Sequence, residues 1–444
     1  MNSPTLSASA AKLRNRLPTQ IRRGVALYLA CLLLALVVLN AASFNAVKIP
    51  RIHNPTSSFL RVGKPVFTQR RWLQTRRSNA HIGSKTTEHF PKKIWQTWKV
   101  DPLAFDHRDV LTARTWTAKN PDYRYEVLTD DNDMTWVEQH YGPEGLDRPD
   151  IVNLYRDVNA TIIKADLLRY LVMYAEGGVY ADIDVEALKP VKRFVTDRFP
   201  EADVDMVIGI EIDQPYFKQH PILGPKSQSF CQWTFMAKPG LPVMLRLVEN
   251  IGIWLHELAQ EQGVSSIGDV HLDFDAVISG TGPSAFTAAI LAEMTSRIGH
   301  PVIWEETFHD MDEAHLVAGV LVLDVEAFAA GQGHSDSGNH NSRGALVKHH
   351  YHASNWPSKH PRFRHPVFGE VERCNWDRDC VAKWDEDVMA FKSLTPDEQR
   401  QRIDMATKNP LSPVPAAGGQ QVLSPIAPEI PALPPTDQVA GPQD

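Results

Sequence analysis

Short apolar runs that alternate with helical stretches predict an α/β fold on a mostly parallel sheet, and three stretches carry that prediction. Pro91 to Lys99 reads PKKIWQTWK, a short apolar strand with aromatic neighbours. Tyr125 to Leu128 is a second such run, entered from the turn signal Asn120-Pro121-Asp122 and closed by Thr129-Asp130-Asp131. Ala165 to Pro190 then reads ADLLRYLVMYAEGGVYADIDVEALKP. In it Leu167, Leu168, Leu171, Val172 and Tyr174 recur at helical spacing, Gly177-Gly178 break the pattern, and an alternating run from Val179 to Val185 follows.

The bulk of the chain is globular. With 444 residues, 43% hydrophobic and 22% charged, there is material for one large domain or two ordinary ones with extensions. A net charge of -7 argues against a nucleic-acid partner.

The first 23 residues carry Lys12, Arg14, Arg16, Arg22 and Arg23 and no acid, and residues 24–47 are free of charge. At 1.5 Å per residue that run reaches about 36 Å, enough to cross a bilayer core of roughly 30 Å. Ala41-Ala42-Ser43 would suit a cleaved signal peptide, but the apolar core is longer than such peptides use, so residues 24–47 are expected to be an uncleaved transmembrane anchor. Residues 48–90 are basic, polar and interrupted by Pro50, Pro55 and Pro65, which reads as a stem. The folded domain is expected over 91–392. Residues 393–444 turn polar and then rich in Pro, Ala, Gly and Gln, and are expected to be a disordered tail.

Within the folded domain the chemistry centres on Asp182 and Asp184. Placed two apart at a strand end, their carboxylates leave one face while Ile183 turns to the core. Oxygen ligands of this kind favour Mg²⁺, Ca²⁺ or Mn²⁺, with open positions for substrate phosphates. Upstream, Asp166 and Arg169 share a helical face, an acid for sugar hydroxyls and a guanidinium for phosphate. Asp203 to Ile212 reads as a further strand, with Glu211 near the start of the next loop. Residues 231–258 read as a strand, a Pro-Gly turn and an amphipathic helix. Ser279 to Ser284 is a flexible Gly/Thr loop that opens another helix, where backbone N–H groups can meet an anion. Lys348 to Trp356 reads KHHYHASNW, three histidines in reach of a metal but without local partners at zinc spacing. Asn159-Ala160-Thr161 is an N-glycosylation triplet, usable if this region faces a secretory lumen. Cys374 and Cys380 can pair across a short loop, leaving Cys231 single and buried.

Asp166-x-x-Arg169-Tyr170, Gly177-Gly178-x-Tyr180-x-Asp182-x-Asp184 and the following Lys189-Pro190 together resemble the D-x-D glycosyltransferases of family 32. Within that family they look like the fungal enzymes that begin the outer chain of N-glycans with an α-1,6-linked mannose. The resemblance implies a GT-A-like, Rossmann-type nucleotide-sugar transferase domain behind an N-terminal transmembrane helix. It further implies a retaining transfer of mannose from GDP-mannose to a high-mannose N-glycan, by a single-pass type II protein of the Golgi membrane with its catalytic domain in the lumen. The alternatives are mannose transfer to inositol phosphoceramide sphingolipids, or another nucleotide-sugar donor.

The same resemblance implies roles for single residues. Asp182 and Asp184 would hold Mn²⁺ with His350, or His352, as a third ligand. Asp166 and Arg169 would orient the sugar, and Gln96 and Thr97 would meet the nucleotide at the end of the first strand. Tyr170, Gly178, Thr281 and Gly282 would line the donor site, and Glu211 would face the acceptor. No nucleophile is named by the sequence.

Overall fold

The structure is a computed structural model in which residues 88–332, 335, 337–351 and 364–409 are described. The expected cytosolic tail, the anchor over 24–47, nearly all of the stem and His352 lie outside the described residues. Among the described residues no helix is long and apolar enough to cross a membrane.

Among the described residues ten strands run in chain order: β1 Lys93–Trp98, β2 Arg124–Thr129, β3 Gly178–Ala181, β4 Val185–Ala187, β5 Met206–Asp213, β6 Gln228–Phe230, β7 Thr234–Ala237, β8 His315–Val317, β9 Val320–Leu323 and β10 Val347–His349. The main sheet has the order β2-β1-β3-β7-β5-β9-β8, with β6 paired to β5, and β10 pairs with β4 in a small second sheet. β1 is parallel to β2 and β3, and β5 is parallel to β9, as alternating strands and helices predict. The sheet is nonetheless mixed, because β7 enters between β3 and β5 antiparallel to both. A strand that returns through Cys231-Gln232-Trp233 and then leaves by the Pro239-Gly240 turn has no crossover helix before it, so it must run back against its neighbours. β3 and β5 still point the same way, and their carboxyl ends share one edge of the sheet.

Alternation along the strands builds two cores, one on each face. Trp95, Tyr180, Met206 and Phe235 turn to one, and Ile94, Val179, Val207 and Met236 turn to the other. Helix α1 His107–Lys119 gives Trp116 to the second core. The first is covered by α2 Asp133–Tyr141, α3 Pro149–Asp157, α4 Thr161–Ala175, α5 Pro242–Gln262, α6 Phe274–Gly280 and α7 Pro283–Ile298. Helix α4 presents Ile163, Leu167, Leu171 and Val172 to that core, which is the periodicity read in the sequence.

A third cluster joins Phe217 and Leu223, in the loop after β5, to Val371, Cys374 and Val381. Cys374 and Cys380 form a disulfide there and Cys231 is free and buried. Lys226 fastens the same region, with Nζ 2.7 Å from Asp275 and 2.6 Å from Glu372. Beyond it come α8 Arg378–Lys392 and α9 Pro396–Lys408. Helix α9 corrects the expectation of disorder from residue 393 onward. Thr395 and Glu398 close a capping box around its start and a proline occupies its first turn, so local signals nucleate a helix on a stretch with no apolar face.

Candidate functional site

The site is built from the end of α4 and the turn that follows it. Gly177 and Gly178 have φ of +64° and +102°, and a Cβ on Gly178 would stand 2.6 Å from the Lys93 carbonyl oxygen. Only glycine lets β3 enter this close beside β1. Gly178 therefore serves the strand start, at the opposite end of β3 from the acidic pair. Three residues later the strand ends at Ala181. The Val185 N–H then donates to the Asp182 carbonyl at 3.0 Å, so the D-x-D motif is a turn between β3 and β4 and not a continuing strand. Ile183 is buried as expected, at 1% exposure.

Asp166, Arg169 and Tyr170 share one face of α4 and are all buried. Arg169 Nη2 lies 3.1 Å from Asp166 Oδ1 and 3.2 Å from Asp182 Oδ1, so one guanidinium ties the helix to the motif. The Tyr180 hydroxyl also donates to Asp182 Oδ1, at 2.7 Å, which leaves Oδ2 for a ligand. Burial pushes the Asp166 carboxyl up to about 6 against the pull of Arg169. Burial raises Asp182 as well, with Arg169 opposing and the Asp184 charge adding to the rise. A carboxylate raised in part by its neighbour's charge, beside an open oxygen, is a place where a cation relieves that repulsion.

The third member of the cluster comes from β10. This strand runs antiparallel to β4 with His349 opposite Val185, and His349 Nε2 lies 3.2 Å from Asp184 Oδ1. Ligand atoms of Asp182, Asp184 and His349 all fall within 4.8 Å of one another. Two carboxylate oxygens and one imidazole nitrogen fit a divalent cation. This corrects the choice of His350. Successive side chains leave an extended strand on opposite faces, so His350 turns away and its Nε2 meets Glu186 at 3.0 Å.

The remaining predicted residues gather around this centre, several of them as its frame. Gln96 has no exposed surface; its Nε2 donates to the Asp182 carbonyl at 2.9 Å and its Oε1 accepts from the Tyr125 hydroxyl. Its side chain is thus spent on the turn and not held out for a nucleotide base. Thr97 shares a hydrogen bond with the Tyr180 hydroxyl at 3.0 Å. Asp166, expected to meet sugar hydroxyls, instead takes a hydrogen bond from Thr281 Oγ1 at 2.6 Å and lies against Gln232 and Arg169. The Tyr170 hydroxyl reaches the Thr281 carbonyl at 2.7 Å. The expected flexible loop at Thr281-Gly282 is a tight junction, where both backbone N–H groups donate to the Val277 carbonyl. They are therefore not available to an anion. Glu211 is buried and accepts from Trp233 Nε1 at 2.9 Å. Sequence reasoning missed Tyr180, Gln232, Trp233 and His349. Tyr180 stood inside the quoted motif, while Gln232 and Trp233 lay in a segment read only as framework.

Comparison with known proteins bears on this site directly. Residues 106–204, which include Asp166, Arg169 and the D-x-D turn, match the family described as "Glycosyltransferase sugar-binding region containing DXD motif". The chain is 32% identical over 266 residues to an initiation-specific alpha-1,6-mannosyltransferase of Schizosaccharomyces pombe, covering 60% of this chain and 63% of that protein. It is also 32% identical over 263 residues to the protein of the same name in Candida albicans, covering 54% of this chain and 65% of that one. The chain thus spans a little under two thirds of the length of these relatives. The solved structure of PaToxG glycosyltransferase is 18% identical, with a TM-score of 0.32 over 47% of this chain and 73% of its own, a likeness that carries no argument.

Proposed function

Starting from a chain that carries the DXD-containing sugar-binding region of glycosyltransferases, we propose that it is a metal-dependent, retaining α-1,6-mannosyltransferase with a GT-A-like domain. Its donor is GDP-mannose and its acceptor a high-mannose N-glycan on glycoproteins. The observation that carries the reading is the convergence of Asp182, Asp184 and His349 within 4.8 Å, on the carboxyl edge where α/β sheets bind their ligands. The mannosyltransferase names of the most similar relatives supply the sugar.

A divalent cation bound there supplies charge for the diphosphate that leaves. The chain's own residues fix where that charge sits. Arg169 and Tyr180 hold Asp182 by one oxygen, and Gln96 holds the backbone of the same residue, so the Asp182 carboxylate is held in place when substrate arrives. Because a mannose α-linked to GDP would yield an α-linkage, configuration is retained and no opposed general base is required.

The protein acts in this reading as a type II membrane protein of the Golgi, anchored by residues 24–47 with the domain in the lumen. The Cys374–Cys380 disulfide supports an oxidising compartment. The test is a donor and acceptor panel on the purified full chain with Mn²⁺. The expected result is mannose transfer from GDP-mannose to a high-mannose N-glycan, in a linkage cleaved by an α-1,6-specific mannosidase. Transfer to inositol phosphoceramide instead, or from a UDP-sugar, would replace this reading with another.

A further inference from the structure

A histidine that ligates a metal ordinarily donates its second ring N–H to a carboxylate, carbonyl or water, which fixes the ring. His349 departs from that rule: its Nδ1 is buried and has no hydrogen-bond partner among the described residues. What holds the ring is aromatic packing on two sides. The Trp233 indole lies 4.5 Å from it, centroid to centroid, and Tyr351 lies 3.7 Å away. Trp233 also reaches the other half of the cluster, since its carbonyl accepts the Asp182 N–H at 2.8 Å. The indole itself is fixed by its Nε1–H, which donates to the buried Glu211 carboxylate at 2.9 Å.

We infer that Trp233, locked by Glu211, is the positioning residue of the metal site, standing in for the hydrogen bond that His349 lacks. One side chain and its own backbone then set both halves of the cluster, the imidazole through ring contact and the acidic turn through the main chain. Glu211 becomes part of this lock rather than a contact for the acceptor. Sequence spacing could not have found the arrangement, because Glu211, Trp233 and His349 come from β5, the approach to β7, and β10. The inference rests on the proposed cation at Asp182, Asp184 and His349, and it predicts a defect that purely structural damage would not produce.

The experiment is titration of the full chain with Mn²⁺ alone, followed by the loss of the free-ion electron paramagnetic signal, alongside thermal melting without metal. Glu211→Ala should weaken Mn²⁺ binding by roughly tenfold or more, the range of outer-shell substitutions. Glu211→Gln, which keeps an acceptor for the indole, should stay within about threefold of wild type, well under that range. Trp233→Phe, which keeps a ring but loses the N–H, gives a second route to the same defect should Glu211→Ala fail to fold. Wild-type affinity in Glu211→Ala or in a folded Trp233→Phe would overturn the inference. An equal loss in Glu211→Gln and Glu211→Ala would overturn it too. Wild-type Mn²⁺ affinity in an Asp182→Asn, Asp184→Asn double variant would instead remove the cation reading on which it stands.

Discussion

Arg169 Nη2 stands 3.2 Å from Asp182 Oδ1 with its side chain only 5% exposed, so a buried cation one helix away anchors the first carboxylate of the acidic turn. The same guanidinium neutralises Asp166. Removing it would strand the buried Asp166 carboxylate and leave the half-buried Asp182 without its cation. Arg169→Ala should therefore destabilise the fold by about 3–5 kcal/mol, the cost of stranding a buried charge, as read from urea unfolding. Arg169→Lys keeps the charge but cannot span both acids with a planar fork, and should fall between the two. An Arg169→Ala protein as stable as wild type would show that the pair is not coupled as the geometry has it.

Asp166 makes a prediction about pH. Its carboxyl is pushed up to about 6 by burial, so between pH 4 and 6 the native protein keeps a proton that the unfolded chain has released. Its contribution to stability is present at low pH and is lost as the pH rises through 6. Two pKa units correspond to about 3 kcal/mol. Asp166→Asn cannot titrate, so the stability of wild type minus that of the variant should fall by about this amount from pH 4 to pH 7. A difference that is flat, or that grows with pH, would mean that Arg169 keeps Asp166 charged throughout.

The two neighbouring histidines are separable. His349→Ala should weaken Mn²⁺ binding by at least roughly tenfold, since loss of a ligand costs no less than loss of its outer-shell support. His350→Ala removes a partner of Glu186 and should leave Mn²⁺ affinity at the wild-type value. Calorimetric titration of both variants distinguishes them, and the reverse ranking would return the ligand role to His350.

Cys380 follows Cys374 by six positions. A loop of that length gives about 2 kcal/mol of chain-entropy stabilisation. Reduction, or a paired Cys374→Ser and Cys380→Ser change, should lower unfolding free energy by about that much and loosen the contacts of Val371 and Val381 with Phe217. Hydrogen exchange over residues 364–392 is the check, and unchanged protection there would count against it.

How far the sequence disclosed this molecule depends on whether a contact was local. Helix α4, its glycine break and β3 were legible because periodicity and the need for positive φ act within a few residues. Asp182 and Asp184 were read as a pair whose carboxylates converge, and they do converge, though a turn and not strand alternation brings them together. The mixed sheet was not legible, since nothing in Thr234–Ala237 states which strands will flank it. Gln96 was noticed as polar at a strand end, yet its partners Tyr125 and the Asp182 carbonyl are distant in the chain, and a polar side chain consumed by the frame looks the same in sequence as one awaiting a ligand. His349 and His350 differ only in which face of β10 they leave. That was decided by the pairing of β10 with β4.

The most direct test of the account is the rate of mannose transfer from GDP-mannose to a high-mannose N-glycan by the full chain, measured with Mn²⁺, with EDTA, and in the Asp184→Asn variant. Asp184 is buried and Asn keeps its shape, so the variant should fold. The expected result is transfer with Mn²⁺, none above background in EDTA, recovery when Mn²⁺ is restored, and a folded but inactive variant. Undiminished transfer in EDTA, or by Asp184→Asn, would contradict it.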